Sequence, residues 1–192
     1  MPTPPSTISS WLRAQPTLIG DAPVWDATLL PDSPLELFRD WIGAAVDAGV
    51  PEPHVATLAT VGPDGIPDAR ALILKDVDER GWAFAGPRAS RKGDQLSAHP
   101  AAALNFWWQP LVRAVRVRGR VVEAAREESA ADLSARSAAA RAGIEPGGWV
   151  LWRLVPERIE FWQGSQDRRH TRVVYERDGR AWGRTDAGAA GS

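Results

Sequence analysis

The chain has 192 residues, 44% hydrophobic and 24% charged, which is ordinary globular usage and excludes a collagenous, coiled-coil or wholly disordered chain. Lys and Arg number 23 against 24 Asp and Glu, so a net charge of −1 gives no global field toward nucleic acid or an anionic membrane. Cysteine is absent and only three His occur, which excludes disulfides and thiolate chemistry and leaves no metal site expected.

No apolar run approaches the roughly 20 residues of a membrane-spanning helix. Residues 1–10 also lack a basic start followed by an apolar stretch, so a soluble, cytoplasmic protein is expected. Residues 1–32 carry Pro2, Pro4, Pro5, Pro16, Pro23 and Pro31, too many imino acids for regular structure, and read as an extended arm docked in part through Trp11 and Trp25. From Ser33 the texture changes. Ser33 can cap, Pro34 suits a first helical turn, Glu36 completes the capping spacing, and Leu37, Phe38, Trp41, Ile42, Ala45 and Val46 recur at helical spacing up to Gly49.

Residues 55–61 and 67–74 read as a hairpin around Gly62-Pro63-Asp64-Gly65, and residues 81–85 as a third strand. A short polar helix over 90–99, with Leu96 its main apolar anchor, precedes two strands, 101–108 and 113–123. In the latter, Val115, Val117 and Val121 alternate with Arg116, Arg118 and Arg120. Residues 124–142 are rich in Ala, Arg and Glu and predict a helix, residues 152–162 and 173–182 predict two further strands, and 184–192 a flexible tail. One domain, 33–183, is expected: a mainly β (α+β), six-stranded antiparallel Greek-key barrel with peripheral helices and no internal repeat.

Three clusters carry chemistry. Arg70-Ala71-Leu72-Ile73-Leu74-Lys75 is a strand with a cation at each end, which reads equally as a solvated edge strand with charged gatekeepers. Ser90-Arg91-Lys92 stands at a helix start, where free N–H groups, a hydroxyl and two cations suit a phosphate, or merely form a solvated first turn. Residues 161–172 place Phe161 and Trp162 beside Arg168, Arg169, Arg172 and His170 in one inter-strand loop, for which cation–π packing with an incidental His is the bland account.

Taken in this order, the clusters resemble the pyridoxine/pyridoxamine 5′-phosphate oxidase family. Thr57-Leu58-Ala59-Thr60, the Arg70 to Lys75 strand, Ser90-Arg91-Lys92 and Phe161-Trp162-Gln163-Gly164 followed by Arg168, His170 and Arg172 carry the likeness, which runs over 35–120 and 155–182. The resemblance implies an FMN-binding split β-barrel, a homodimer with flavin at the subunit interface, a small-molecule ring substrate and dioxygen as acceptor. It places Arg70, Ala71, Leu72, Ile73, Leu74, Lys75, Phe84, Ala85, Arg91, Lys92, Trp162 and Arg172 at the flavin. Lys75, Arg136, Arg168 and His170 fall at substrate positions, with Arg168 and His170 as the catalytic pair. Cations suit FMN physically, since its phosphate and its reduced ring both carry negative charge.

The chain departs from the family at the substrate end. Where the family grips a substrate phosphate with a Tyr, an Arg and a Ser, this sequence has Asp132, Arg136 and Ala140. A Gln-Ser pair that meets FMN is missing, a flavin-contacting Gln is replaced by Ala114, and a Tyr-Thr pair by Phe84 and Ala85. Each lost charge-assisted hydrogen bond costs about 1.5–3 kcal/mol, or roughly ten-fold to a hundred-fold in affinity. Arg126 and Arg141 are candidate replacements. The chain therefore reads as an FMN-dependent oxidase in pyridoxal phosphate biosynthesis, or as a relative like the flavoprotein oxidases of the phenazine pathway that handles a non-phosphorylated aromatic ring. A flavin, deazaflavin or haem carrier is a third reading. Nucleic-acid binding by Arg113, Arg116, Arg118 and Arg120 beside Trp107 and Trp108 is a fourth, disfavoured by the net charge.

Overall fold

A computed structural model describes residues 7–187, so the expectations for residues 1–6 and 188–192 lie outside the described residues. Eight antiparallel strands form one sheet: β1 Val55–Val61, β2 Pro67–Asp78, β3 Gly81–Pro87, β4 Ala101–Trp108, β5 Arg113–Glu123, β6 Trp149–Gln163, β7 Thr171–Asp178 and β8 Ala181–Ala187. Their spatial order is β3-β2-β1-β4-β5-β6-β7-β8, and β3 also pairs with β6, which closes the first six strands into a barrel. The meander β1-β2-β3 followed by β4 returning beside β1 is a Greek key. The split-barrel α+β fold expected from the sequence is the fold observed.

Alternation decides what fills the barrel. Val115, Val117 and Val121 on β5 are buried while Arg116, Arg118 and Arg120 are exposed. Ala56 and Leu58 of β1, Leu104, Phe106 and Trp108 of β4, and Ile159 and Phe161 of β6 complete the interior. Helix α2, Pro34–Asp47, adds Leu37, Phe38, Trp41 and Ala45 from one face. Phe38 meets Trp82 and Phe106 edge-on, with centroids 5.5 and 5.1 Å away, and Trp41 meets Phe161 at 5.2 Å. Ser33 precedes this helix without a side-chain cap bond, so Pro34 and the apolar face, rather than a capping box, set its start.

The N-terminal arm is not wholly extended. A short helix, α1 Ile8–Arg13, is closed by a capping box between Thr7 and Ser10, and Trp11 on it remains 45% exposed. Trp25 does dock, 4.8 Å from Trp41, and the carbonyls of Ile19, Pro23 and Pro31 accept from Gln109, Gln163 and Tyr175.

Three other expectations are corrected. The helix expected over 124–142 is two helices, α4 Arg126–Ser134 and α5 Ala138–Arg141, because Ser137 caps the second by accepting from the Ala140 N–H. The strand expected over 173–182 is a hairpin. Asp178 pairs with Ala181 across Gly179-Arg180, where Gly179 supplies the positive φ of 59° that a two-residue turn demands. Residues 184–187, expected in the tail, belong to β8 because β7 offers a full ladder to them.

The arginine strip of β5 is not continuous either. Arg113 is 5% exposed, its guanidinium 4.1 Å from the Trp41 ring centroid and its Nε donating to Gln163 Oε1 at 2.7 Å. Burial pushes its pKa down to about 10. Trp108 is buried as well, so neither residue is offered to a nucleic acid. No helix among the described residues is long and apolar enough to cross a membrane.

Phe38→Ala empties a fully enclosed site bounded by rigid aromatic rings. It should lower unfolding free energy by about 3–5 kcal/mol, read as a shift of the urea midpoint at unchanged slope.

Candidate functional site

The first cluster forms where β1, β2 and the start of helix α3, Arg91–Ala98, meet. Ser90 caps α3, its hydroxyl accepting from the Gly93 N–H and donating to the Pro87 carbonyl at 2.6 Å. Lys92 lies half-buried, with Nζ 3.3 Å from Ser90 Oγ and 5.6 Å from the Trp152 ring centroid. Gly86 leaves room beneath it: a Cβ there would stand 2.1 Å from Lys92 Nζ and would displace the ammonium. Arg70 on β2 reaches the same region from the barrel's inner face, with Nη2 3.2 Å from Asp68 Oδ2. Arg91 is exposed and pairs with the same carboxylate at 2.8 Å.

The electrostatics leave this cluster short of an anion. Burial lowers the Lys92 pKa, and the neighbouring Arg70 lowers it further. Among the described residues no carboxylate lies within ion-pair distance of Lys92. A hydrogen bond from Gln95 chiefly holds the Asp68 carboxyl below its usual range, with Arg91 and Arg70 adding to it. Two guanidinium groups, a partly desolvated ammonium and the free N–H groups of a helix start form a donor set that fits a phosphate monoester.

The second cluster lies across β4, β5, β6 and β7 in one register row: Trp107 opposite Ala114, Ala114 opposite Trp162, and Trp162 opposite Arg172. The Trp162 ring is 6.2 Å from Trp107 and 5.1 Å from His170. His170 Nδ1 accepts from the Ser165 backbone N–H at 3.0 Å, so the neutral imidazole carries its proton on Nε2 and presents a donor outward. The loop is tight. Arg168 adopts φ 65° and its N–H bonds to the Ser165 carbonyl, while Asp167 accepts from Ser165 Oγ and the Arg169 N–H. Gly164 is obligatory, since a Cβ would fall 2.6 Å from Val112 Cγ1 and 2.7 Å from Trp162 Cη2. Arg172 is steered by Glu160, 3.6 Å from its Nε and only 3% exposed. That ion pair includes no hydrogen bond, which leaves the guanidinium donors available.

The remaining expected residues fall as follows. Ala71 and Ile73 face outward and Leu72 and Leu74 inward, and Lys75 is exposed where the β2 register shifts between Leu74 and Asp76. Phe84 is fully buried and stacked on Trp152, so its side chain offers nothing to a ligand, and Ala85 is partly exposed. Asp132 Oδ2 accepts from Trp149 Nε1 at 2.8 Å, and the Arg136 guanidinium stacks 4.6 Å over that indole. Ala140 belongs to α5 rather than α4, so the three positions do not share one helix. A cavity of about 740 Å³ opens beside them, lined by Arg126, Ser129, Leu133, Arg141 and Trp149 but by neither Asp132 nor Arg136.

No hydrogen bond, ion pair or ring contact joins the first cluster to the second among the described residues. Each is built within one chain, and they stand on different parts of the sheet. The polar partners Thr60, Gln95 and Glu160 were not singled out from sequence. Thr60 sits in a matched motif, but Gln95 lies in a helix whose polarity hides its inward-facing position, and Glu160 alternates among apolar neighbours.

A family model described as "Pyridoxamine 5'-phosphate oxidase" matches residues 42–163, and one described as "Pyridoxine 5'-phosphate oxidase C-terminal dimerisation region" matches residues 149–186. The chain is 41% identical over 184 residues to a protein of Thermosynechococcus vestitus named pyridoxine/pyridoxamine 5′-phosphate oxidase, covering 80% of this chain and 87% of the relative. A Burkholderia multivorans protein of the same name is 39% identical over 187 residues, covering 81% and 87%. Among solved structures it is similar to PhzG from Burkholderia lata 383 in complex with tetrahydrophenazine-1-carboxylic acid. That likeness has a TM-score of 0.80 and 28% identity, over 88% of this chain and 100% of the other. An FMN-binding protein of Nostoc punctiforme shares the fold at a TM-score of 0.67 and 20% identity, over 83% of this chain and 100% of that one.

Lys92 binds its proton less tightly when folded than when unfolded, so the unfolded chain holds more protons in the window below Lys92's ordinary 10.5, and folding stability rises with pH across it. Lys92→Met should raise the denaturant midpoint of the ligand-free protein at pH 8 and abolish that alkaline rise, as chemical unfolding at a series of pH values will show.

Proposed function

The chain belongs to the pyridoxamine 5′-phosphate oxidase family, and on that footing we propose that it is an FMN-dependent oxidase acting on a small ring substrate, with dioxygen as acceptor. The observation that carries this reading is Lys92: a half-buried ammonium beside Arg70, Arg91 and a capping serine, with no carboxylate of its own. Such a group is poised for an incoming phosphate. Arg70, Arg91, Lys92 and the free N–H groups at the start of α3 would hold the FMN phosphate, with Ser90 shaping the turn as the helix cap. The chemistry FMN supplies when bound is two-electron acceptance: a hydride from a substrate carbon, then return of both electrons to dioxygen as hydrogen peroxide.

The separation of the two clusters, together with the match to the family's dimerisation region over 149–186, supports a homodimer in which Trp162 and Arg172 of one chain face the phosphate cluster of the other. Arg172 brings a directed cation to the ring portion of the cofactor. Arg168, lifted by its left-handed backbone, and His170, fixed as the Nε2–H tautomer, would orient the substrate and hold its exchangeable proton at Nε2. Lys75 completes the substrate wall. Such a protein would work in the cytoplasm.

A non-phosphorylated ring is the better fit for the substrate. Asp132 is committed to the Trp149 indole and would repel a phosphate, while the Arg136 guanidinium stands over that indole, 4.6 Å from its centroid, with a buried Nε that lacks a hydrogen-bond partner. One planar cation on an aromatic face suits a carboxylated ring of the kind that PhzG binds in its complex.

The purified protein should be yellow and release FMN on denaturation. Arg172→Ala should weaken FMN retention by about 10- to 100-fold in a dialysis assay, whereas His170→Ala should keep the colour and slow turnover by about 10²- to 10⁴-fold. In anaerobic titration, a partly reduced aromatic carboxylate should bleach the flavin at lower concentration than pyridoxamine 5′-phosphate. The reverse order would assign the phosphorylated vitamer.

A further inference from the structure

Behind Arg70 lies a polar set that the proposed cofactor contacts do not use. Thr60 on β1 and Gln95 on α3 are 1% and 3% exposed, the most deeply buried uncharged polar side chains among the described residues. Buried groups of this kind must find partners, and these find Arg70. Thr60 Oγ1 donates to Gln95 Oε1 at 2.6 Å and itself accepts from Arg70 Nη1. Gln95 Oε1 accepts a second bond from Arg70 Nη2 at 2.8 Å. The direction of the amide is set from its far side, where Nε2 donates to Asp68 Oδ2 at 3.3 Å, so that the oxygen must face the guanidinium.

We propose that Thr60 and Gln95 are positioning residues that fix Arg70 toward the FMN phosphate. This rests on the FMN reading above. A hydroxyl oxygen and an amide oxygen grip the two terminal nitrogens as a fork, the geometry a guanidinium prefers. Both oxygens are uncharged, so the grip orients Arg70 without adding a second carboxylate to Asp68, which already lies 3.2 Å from Nη2. Because α3 supplies Gln95 three residues after Lys92, the same helix sets the direction of both cations. Its first turn and its buried face are parts of one anion site.

Riboflavin separates this role from a merely structural one, because it carries the isoalloxazine ring but no phosphate. The full-length chain, stripped of flavin, is titrated with FMN and with riboflavin, and binding is read from quenching of flavin fluorescence. The wild type should prefer FMN strongly. Gln95→Leu and Thr60→Val should each weaken FMN by about 10- to 100-fold with riboflavin unchanged. Thr60→Ser, which keeps the hydroxyl, should retain the wild-type preference. In an Arg70→Ala background the Gln95→Leu change should add nothing to the FMN loss.

An unchanged FMN-to-riboflavin ratio in both Gln95→Leu and Thr60→Val would overturn the positioning role while leaving the FMN reading intact. A wild type that binds both ligands equally, or neither, would overturn that reading and the positioning role with it. Thr60→Val keeps the shape of the side chain and so provides a folded variant even where Gln95→Leu loosens α3.

Discussion

The ladder between β3 and β6 is the constraint on which the other contacts rest. β6 pairs with β3 through residues 149–154, with β5 through 152–163 and with β7 through 158–163, so one strand of 15 residues closes the barrel and carries the sheet beyond it. Closure leaves no free edge among the six barrel strands and forces alternate side chains into a sealed interior. That interior is apolar, so cations on these strands are sent to the rim or the outer face, or else need specific partners. Arg113 shows the exception: admitted to the core, it lies on the Trp41 face and bonds to Gln163, and burial still lowers its pKa.

A consequence is that the two chemical clusters stand at distinct places on the sheet rather than around one pocket of a single chain. The phosphate cluster uses the start of β2 and the start of α3, where a helix N-terminus offers donors that water would otherwise satisfy. The Trp162 cluster uses the outer face of a register row in which aromatic and guanidinium side chains are cross-strand neighbours. Under the proposed reading, twofold assembly is then part of the chemistry, because it alone brings a ring-facing Arg172 to a phosphate-facing Lys92.

The barrel was legible in the sequence because alternation is a local signal, as in Val115, Val117 and Val121 against Arg116, Arg118 and Arg120. The chemical residues were legible because they sit in short runs at fixed spacing. What escaped notice was long-range or ambiguous. Gln95 reads as one polar residue among several in a polar helix, and only the fold places it against Thr60, 35 residues away. The link between Asp132 and the Trp149 indole spans 17 residues and an irregular connection. Propensity over-extended the Ala-rich helix, since Ala favours helix everywhere while a lone Ser137 ends and restarts it. The β7–β8 hairpin was missed although Asp178-Gly179 signals a turn, because the flanking strands carry a strongly polar text.

The two ends of the site are held by different forces, and this bears on how they diverge. The phosphate end is anchored in the core, where Thr60 and Gln95 cannot change without leaving a buried partner unsatisfied. The proposed substrate wall at Asp132 depends on α4, whose only buried residue is Ser129. That helix is tied down by polar contacts: Ser129 Oγ accepts from the Leu151 N–H at 3.0 Å, and Glu128 meets Arg153 and Arg80 at 2.9 and 2.7 Å. Arg153 in turn bonds Asp76 and Asp78, just past the β2 bulge that exposes Lys75, so both proposed walls of the substrate pocket share one ionic hub. Residues such as Asp132 and Arg136 can be exchanged on this frame without opening the barrel core. Under the proposed reading, a protein built this way can keep its cofactor while altering the ring it oxidises, because the cations of the phosphate end and the residues at Asp132 and Arg136 rest on separate supports.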